Sequence, residues 1–131
     1  MGIFGGLFGD TGKENKEKAT EIPWNSLNAV SQIVEIKEES NKRPQVIFKH
    51  STTCGISRMV LNMFKSGYSL EKGQMDFHFL DLLANRDLSN AIASAFGVTH
   101  QSPQLLIVKN GVVVKHDSHG AISEIDLKNY L

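Results

Sequence analysis

The sequence predicts one α/β domain, in which a central mixed β-sheet is flanked by helices. The chain has 131 residues, of which 40% are hydrophobic, enough to form one core without disulfides or a structural metal. Apolar runs typical of buried strands alternate with segments of helical periodicity. The dipeptide Asn110-Gly111 separates the last two apolar runs, which predicts an antiparallel hairpin.

The first half of the domain is expected to contain two strands and two helices. Residues 22–27 predict a short strand, and residues 30–34 carry apolar side chains on one helical face. Residues 46–48 are continuously apolar, as in a strand covered on both faces. Residues 56–64 form an amphipathic helix pattern that Gly67 is well placed to end.

The second half is expected to add three strands and two helices. Residues 77–83 predict a third buried strand, and residues 88–96 predict a third helix. Residues 105–108 and 112–114 are the two strands of the hairpin, and residues 123–131 begin with a pattern that resembles a capping box. The order is therefore β-α-β-α-β-α-β-β-α. Strands separated by helices are expected to pair in parallel, with the hairpin supplying an antiparallel edge.

Composition excludes several classes of function. The 14 Lys and Arg residues balance 14 Asp and Glu residues, so we expect no broad electrostatic binding of nucleic acid. No segment approaches the roughly 18 apolar residues of a membrane span. The single cysteine, Cys54, cannot form an internal disulfide, which favours a reducing compartment or a reactive thiol. We therefore expect a soluble, cytoplasmic protein.

The amino-terminal residues differ from the rest of the chain. Residues 1–9 contain four glycines and no charge, and residues 10–18 are strongly polar. We interpret residues 1–20 as a flexible tail, because ordering glycine is entropically costly, and residues 21–131 as the folded domain. The apolar side chains of the tail remain available for weak contacts with a partner or an interface.

The candidate reactive group is the thiol of Cys54, which lies between a predicted buried strand and a predicted amphipathic helix. This order places it at the carboxyl edge of the sheet and at the amino end of the helix. Backbone N–H groups and partial positive charge there stabilise a nucleophilic thiolate. Lys49 and Arg58 are candidates for further positive potential, and His50 for a proton acceptor. The alternative is an inert thiol in the core.

Ser57 occupies the position that a second cysteine has in a Cys-x-x-Cys redox motif. With serine there, a mixed disulfide at Cys54 must wait for an external thiol. The Ser57 hydroxyl could donate a hydrogen bond to the sulfur, or it could be an ordinary serine of the first helical turn.

The Ser102-Pro103 dipeptide directly precedes the fourth predicted strand. A cis bond there would leave backbone groups free to pair with an extended substrate. A trans proline in a surface loop is the alternative. His116 and His119 have His-x-x-His spacing, but they lie on a predicted strand and loop without an adjacent carboxylate cluster, so we expect no metal site.

Together these motifs resemble those of a known family. The matching stretches are Trp24 with Leu27, residues 47–52 leading into Cys54, Ile56-Ser57, residues 98–104, Asn110-Gly111, and Ser118-His119 before Ile122. They resemble the YtxJ family of the thioredoxin-like superfamily, the monothiol bacilliredoxins of the bacillithiol system. The resemblance covers about residues 22–131 and implies a thioredoxin-like fold.

The resemblance also implies an activity. A protein of this kind is a thiol-disulfide oxidoreductase that reduces mixed disulfides between proteins and a small thiol. Cys54 would be the attacking residue and Pro103 would be the cis-proline. From its position in the motif, we also expect Ser57 to be catalytic, by holding the attacking or leaving sulfur. The implied partners are S-thiolated proteins, and the implied co-substrate is a low-molecular-weight thiol such as bacillithiol, with no permanently bound cofactor. The candidate substrate-binding residues are Thr53, Gly55, Ser102, Pro103, His50, Lys49 and His119.

Gly55 departs from the family pattern, which commonly has proline directly after the cysteine. The resulting Cys-Gly-Ile-Ser is similar to the Cys-Gly-Phe-Ser of monothiol glutaredoxins, which carry a [2Fe-2S] cluster shared with glutathione. Glycine permits close approach of either a cluster or a bulky thiol adduct. Two alternatives therefore stay open, an iron-sulfur carrier and a non-catalytic module that binds extended peptides.

Overall fold

A computed structural model of the chain describes residues 21–131, and the predicted tail at residues 1–20 lies outside the described residues. The strands of the described part are β1 (Trp24–Ser26), β2 (Gln45–His50), β3 (Asp76–Asp81), β4 (Gln104–Lys109) and β5 (Val112–Ser118). The helices are α1 (Ser31–Glu39), α2 (Gly55–Ser66) and α3 (Arg86–Phe96), followed by two 3₁₀ helices (His119–Glu124 and Leu127–Tyr130).

The five strands form one mixed sheet in the order β1-β3-β2-β4-β5. β1 and β2 both pair in parallel with β3, whereas β4 pairs antiparallel with β2 and with β5. The predicted mixed sheet is confirmed, but the expectation that β4 would be parallel is wrong. After α3, residues 97–103 return the chain to the edge where β2 ends, so Gln104 begins β4 beside Lys49. A strand that is buried on both faces can pair in either direction, so the apolar run of β4 did not determine its orientation.

The sheet separates two apolar clusters, because successive side chains of a strand point to opposite faces. On one face, Phe48 packs in a cluster with Val60 and Phe64 of α2. On the other face, Ile47 packs in a cluster with residues of α1 and α3, Ile33, Ile36, Leu88 and Ile92. β2 is buried along its whole length. The central strand is therefore rigidly held just before the candidate reactive loop.

The predicted hairpin is present between β4 and β5. Asn110 and Gly111 have φ angles of 53° and 82°, which is the left-handed pair that a type I′ turn requires. The turn also packs on the end of α1. The Asn110 N–H donates to the Ser40 carbonyl at 2.9 Å, and the Gly111 N–H donates to the Ser40 hydroxyl at 2.8 Å.

The prediction of an α-helix at the end of the chain is wrong, because the segment forms two short 3₁₀ helices. Ile125 is extended, with φ −74° and ψ 127°, and it separates them. Instead of closing a capping box with Ser123, Asp126 accepts a hydrogen bond from the Lys128 N–H at the start of the second 3₁₀ helix. Ile122 and Leu127 are both buried in the α2-side cluster. We infer that anchoring these two side chains outweighs the small gain from so short an α-helix.

Candidate active site

Cys54 lies where the sequence predicted it, between β2 and α2. It is the N-cap residue of α2, with extended backbone angles of φ −102° and ψ 120°, and its side chain is half-buried. The Cys54 N–H donates to the Ser51 carbonyl at 3.2 Å, and its carbonyl accepts from the Arg58 N–H at 3.1 Å. These two bonds fix the cysteine backbone at the junction of loop and helix.

The surroundings of the thiol carry positive potential. No acidic residue lies in the first turn of α2, so the unpaired N–H groups of the helix end are not offset there. The Arg58 guanidinium donates to the Thr52 carbonyl at 3.1 Å and so keeps a full charge beside the loop. Thr53 and Gly55 flank the cysteine and are exposed, which leaves this side open to a substrate.

Ser57 and His50 form a buried pair beneath the loop. The Ser57 hydroxyl is 2.8 Å from His50 Nδ1 and accepts from the Ser51 N–H at 3.1 Å. Its hydrogen bonds therefore tie the end of β2 to α2, and a bond to the Cys54 sulfur stays a prediction. His50 is also buried, so it contacts the loop through Ser57. The prediction that His50 touches the substrate directly is therefore corrected.

Charge and burial favour the neutral form of His50. Burial lowers its pKa, and although nearby Asp81 raises the pKa, Arg58 lowers it further. A neutral imidazole at pH 7 has one donor and one acceptor nitrogen. His50 Nδ1 can therefore accept a hydrogen bond from the Ser57 hydroxyl in one tautomer and donate one to it in the other.

The Ser102–Pro103 loop lies at the same edge of the sheet. The Ser102–Pro103 peptide bond is cis, and the Pro103 carbonyl accepts a hydrogen bond from the His119 N–H at 3.1 Å. His119 itself is exposed and has a left-handed φ of 57°. The structure thus brings the cis-proline loop and His119 together.

The prediction that Lys49 lies at the substrate-binding loop is corrected, because its side chain is neither exposed nor on the face of the sheet that carries α2. It lies with Ile47 on the opposite face, where its ammonium group donates to the Ser89 carbonyl at 3.2 Å and is 3.5 Å from His100 Nδ1. Burial lowers the pKa of Lys49 to about 8. Alternation along a strand sends consecutive side chains to opposite faces, so Lys49 and His50 could not both face the loop.

The comparisons with known proteins decide the family. The family model described as "Monothiol bacilliredoxin BrxC" matches residues 25–127, which includes every candidate site residue named above. The chain belongs to the monothiol bacilliredoxin family.

Solved structures agree with the fold. A protein described as a candidate oxidoreductase with a thioredoxin fold is 33% identical to this bacilliredoxin, with a TM-score of 0.65 over 76% of this chain and 85% of that chain. The thioredoxin of Schistosoma mansoni is 17% identical, with a TM-score of 0.64 over 82% of this chain and 95% of that chain. The thioredoxin of Malassezia sympodialis is 15% identical, with a TM-score of 0.61 over 80% of this chain and 84% of that chain. The bacilliredoxin therefore has a thioredoxin-like fold, and its family supports a role in thiol redox chemistry.

Within residues 21–131 of this bacilliredoxin, no three His, Cys, Asp or Glu side chains are grouped so as to hold a metal ion. His116 and His119 are both exposed. None of the helices in this part of the chain is long and apolar enough to cross a membrane.

Sequence reasoning missed the polar cluster that surrounds Lys49. His100 falls within residues 98–104 and Ser89 within the predicted third helix, and neither was assigned a role from the sequence. The Ser89 hydroxyl is 3.0 Å from His100 Nδ1. A lysine within an otherwise buried strand was the available signal, since buried charges need partners.

Proposed function

We propose that this bacilliredoxin removes a low-molecular-weight thiol, such as bacillithiol, from protein mixed disulfides through Cys54. The observation that carries the proposal is the position of the single cysteine. Cys54 is the N-cap of α2 and lies at the sheet edge that also carries the cis Ser102–Pro103 bond. A half-buried thiol flanked by exposed Thr53 and Gly55 suits attack on a disulfide.

The proposed reaction is an exchange of one disulfide for another. The Cys54 thiolate attacks the small-thiol sulfur of the mixed disulfide, so a bond forms between these two sulfurs. The bond to the protein sulfur breaks, and the electron pair leaves with that sulfur, which takes up a proton. A second low-molecular-weight thiol then attacks the adduct, releasing a small-molecule disulfide and the Cys54 thiolate. With Ser57 in place of a second cysteine, the adduct has no internal route to resolution.

The remaining site residues bind and orient the substrate in this proposal. The helix amino end and Arg58 stabilise negative charge on the attacking and leaving sulfurs. The backbone at Ser102 and Pro103 pairs with the extended chain of the S-thiolated protein. His119, fixed by its hydrogen bond to the Pro103 carbonyl, borders the groove that receives the small thiol. The co-substrate is thus a thiol that binds and is released in each reaction cycle, and the partners are S-thiolated proteins.

The test is the mass of the intact protein after incubation with oxidised small thiols. Parallel incubations with the disulfides of bacillithiol, glutathione and coenzyme A are expected to add one thiol to Cys54, fastest with bacillithiol. A bacillithiolated model protein should lose its modification in the same assay when a reducing thiol is present. Cys54→Ser is the control and should form no adduct. Absence of any adduct on the parent protein contradicts the proposal.

A further inference from the structure

An apolar stripe runs along the outer side of α2. Ile56, Met59 and Met63 lie three and four positions apart, so they share one face of the helix. The three residues are 57%, 56% and 48% exposed, so residues 21–131 leave them largely uncovered. Ile56 lies in the first turn, two residues after Cys54, and the stripe therefore begins beside the candidate active site. Single exposed apolar residues are common, whereas a contiguous patch marks a contact surface.

The stripe borders a groove between α2 and the first of the two 3₁₀ helices. Met63 and Ser123 face each other across it, and Ile125 lines it farther along. The floor of the groove is formed by Phe64 and Leu127, which belong to the buried α2-side cluster. An apolar side chain that enters the groove would therefore pack directly on the core.

The amino-terminal tail has a composition that fits this surface. Residues 1–9 contain no charge and carry two apolar pairs, Ile3-Phe4 and Leu7-Phe8, separated by two glycines. Residues 10–20 are polar and contain charges of both signs. An apolar end is thus joined to the domain by a polar connection. Removing apolar surface from water contributes roughly 25 cal/mol per Å², so these four side chains favour an apolar groove within their reach.

The point where the tail joins the domain brings the groove within reach. Ile22, the second described residue, is buried in the α2-side cluster, so the chain enters the domain on the side that carries the groove. A chain as long as residues 9–20 spans about 40 Å when fully extended and about 20 Å on average when unstructured. The 12 residues of α2 extend about 18 Å. A tether of this length gives a local concentration in the millimolar range, so a weak affinity suffices for docking within one molecule.

We propose that residues 3–8 dock in the groove of their own molecule, with Phe4 and Phe8 packed against Met59 and Met63. Methionine suits this contact, because its unbranched side chain adapts to its neighbours and its sulfur packs favourably against aromatic rings. The docked segment covers part of the apolar stripe that begins beside Cys54. This contact goes beyond the proposed thiol exchange and does not depend on it.

The first experiment uses three of the four methionines of the chain as reporters. Met59 and Met63 line the groove, whereas Met75 is buried in the core. The full chain is labelled with ¹³C at its methionine methyl groups and observed by NMR. Phe4→Ser combined with Phe8→Ser is expected to shift the Met59 and Met63 signals and to leave the Met75 signal in place. Unchanged Met59 and Met63 signals overturn the proposal.

The matched control is Lys13→Ser combined with Lys16→Ser, which changes as many residues in the polar connection and should leave all three signals in place. The difference between parent and phenylalanine variant should persist over a roughly hundredfold dilution, because docking is intramolecular. Loss of the difference on dilution would mean that the tail binds a second copy, which overturns the proposal. Unchanged signals in the phenylalanine variant, with binding of phosphatidylglycerol vesicles by the parent alone, would identify a lipid surface as the target instead.

The second experiment changes the groove and measures access to the tail. Chymotrypsin cleaves after aromatic residues, so the rate of cleavage after Phe4 and Phe8, followed by intact mass, reports the undocked population. Met59→Gln combined with Met63→Gln should raise this rate several-fold, because glutamine keeps the helix propensity and removes the apolar contact. Val34→Gln, at a position of α1 that is 59% exposed, is the matched control and should be cleaved at the parent's rate. Equal rates for all three proteins overturn the proposal.

Discussion

The His50 imidazole and the Ser57 hydroxyl are 2.8 Å apart and buried beneath the loop that carries Cys54. The same hydroxyl accepts a hydrogen bond from the Ser51 N–H. One small side chain thereby joins the last residue of β2, the first residue of the loop and the first turn of α2. Its role in the structure is to hold the loop in place, whatever it contributes to the chemistry of the sulfur.

Ser57→Ala is expected to lower the free energy of unfolding by about 1–3 kcal/mol, because it leaves the Ser51 N–H and His50 Nδ1 without their partner. Urea denaturation at pH 7 measures this change. Ser66→Ala, at an exposed position of the same helix, is the control and should have little effect. Equal stability of parent and Ser57→Ala would show that the hydroxyl does not hold the loop.

Lys49 should give the protein an unusual dependence of stability on alkaline pH. Its pKa is about 8 in the folded chain against an ordinary value of 10.5, so the unfolded chain binds more protons between these two pH values. Stability therefore rises with pH across that window. The parent should gain up to about 3 kcal/mol relative to Lys49→Met between pH 7.5 and 10.5. Lys65→Met should run parallel to the parent, and a flat difference for Lys49→Met would contradict the assigned pKa.

Asp76 should make stability depend on pH in the acidic range. Burial alone would raise its pKa, but hydrogen bonds from Arg43 and Gln45 outweigh burial and lower it. This depressed pKa gives stability that is present above the unfolded value of about 3.9 and is lost as the pH falls through the folded value. Asp76→Asn should cost roughly 1 kcal/mol at pH 7, since the pair is partly exposed.

The cost of Asp76→Asn should disappear near pH 2, where the parent carboxyl is also protonated. Denaturation curves recorded from pH 2 to pH 7 measure both limits. A cost that stays constant over this range would mean that charge on Asp76 contributes nothing.

Gly111→Ala is expected to destabilise the hairpin by about 1 kcal/mol, because φ is 82° at this position and a Cβ is unfavourable there. An added Cβ would meet no atom within 4 Å, so the cost is one of backbone conformation alone. Gly67→Ala is the matched control, since Gly67 has φ −86°. Thermal denaturation should separate the two variants, and equal melting temperatures would contradict this reasoning.

Gly55→Ala tests whether the space beside Cys54 is used by the thiol. An added Cβ would meet only the Arg58 guanidinium, at 4.0 Å, so stability should change by less than about 0.5 kcal/mol. Adduct formation should slow more with bacillithiol disulfide than with the smaller cystamine, as followed by intact mass. Equal slowing with both disulfides would show that Gly55 does not accommodate the bulk of the adduct.

Much of the secondary structure of this protein could be predicted from local sequence signals. Periodicity predicted most of the strands and helices, and Asn110-Gly111 predicted the hairpin, because these features depend on neighbours within a few residues. The position of Cys54 between a buried strand and an amphipathic helix followed for the same reason. Strand alternation was an available signal that was not applied to Lys49 and His50, which were both expected at the loop although consecutive strand residues point to opposite faces of the sheet.

Only the tertiary structure decided which groups meet across the chain. The return of residues 97–103 made β4 antiparallel to β2 and brought His100 beside Lys49, 51 positions away. The burial of Ile122 and Leu127 replaced the predicted last helix with 3₁₀ turns. These outcomes depend on how distant segments share the two faces of one sheet, which no local pattern of residues encodes.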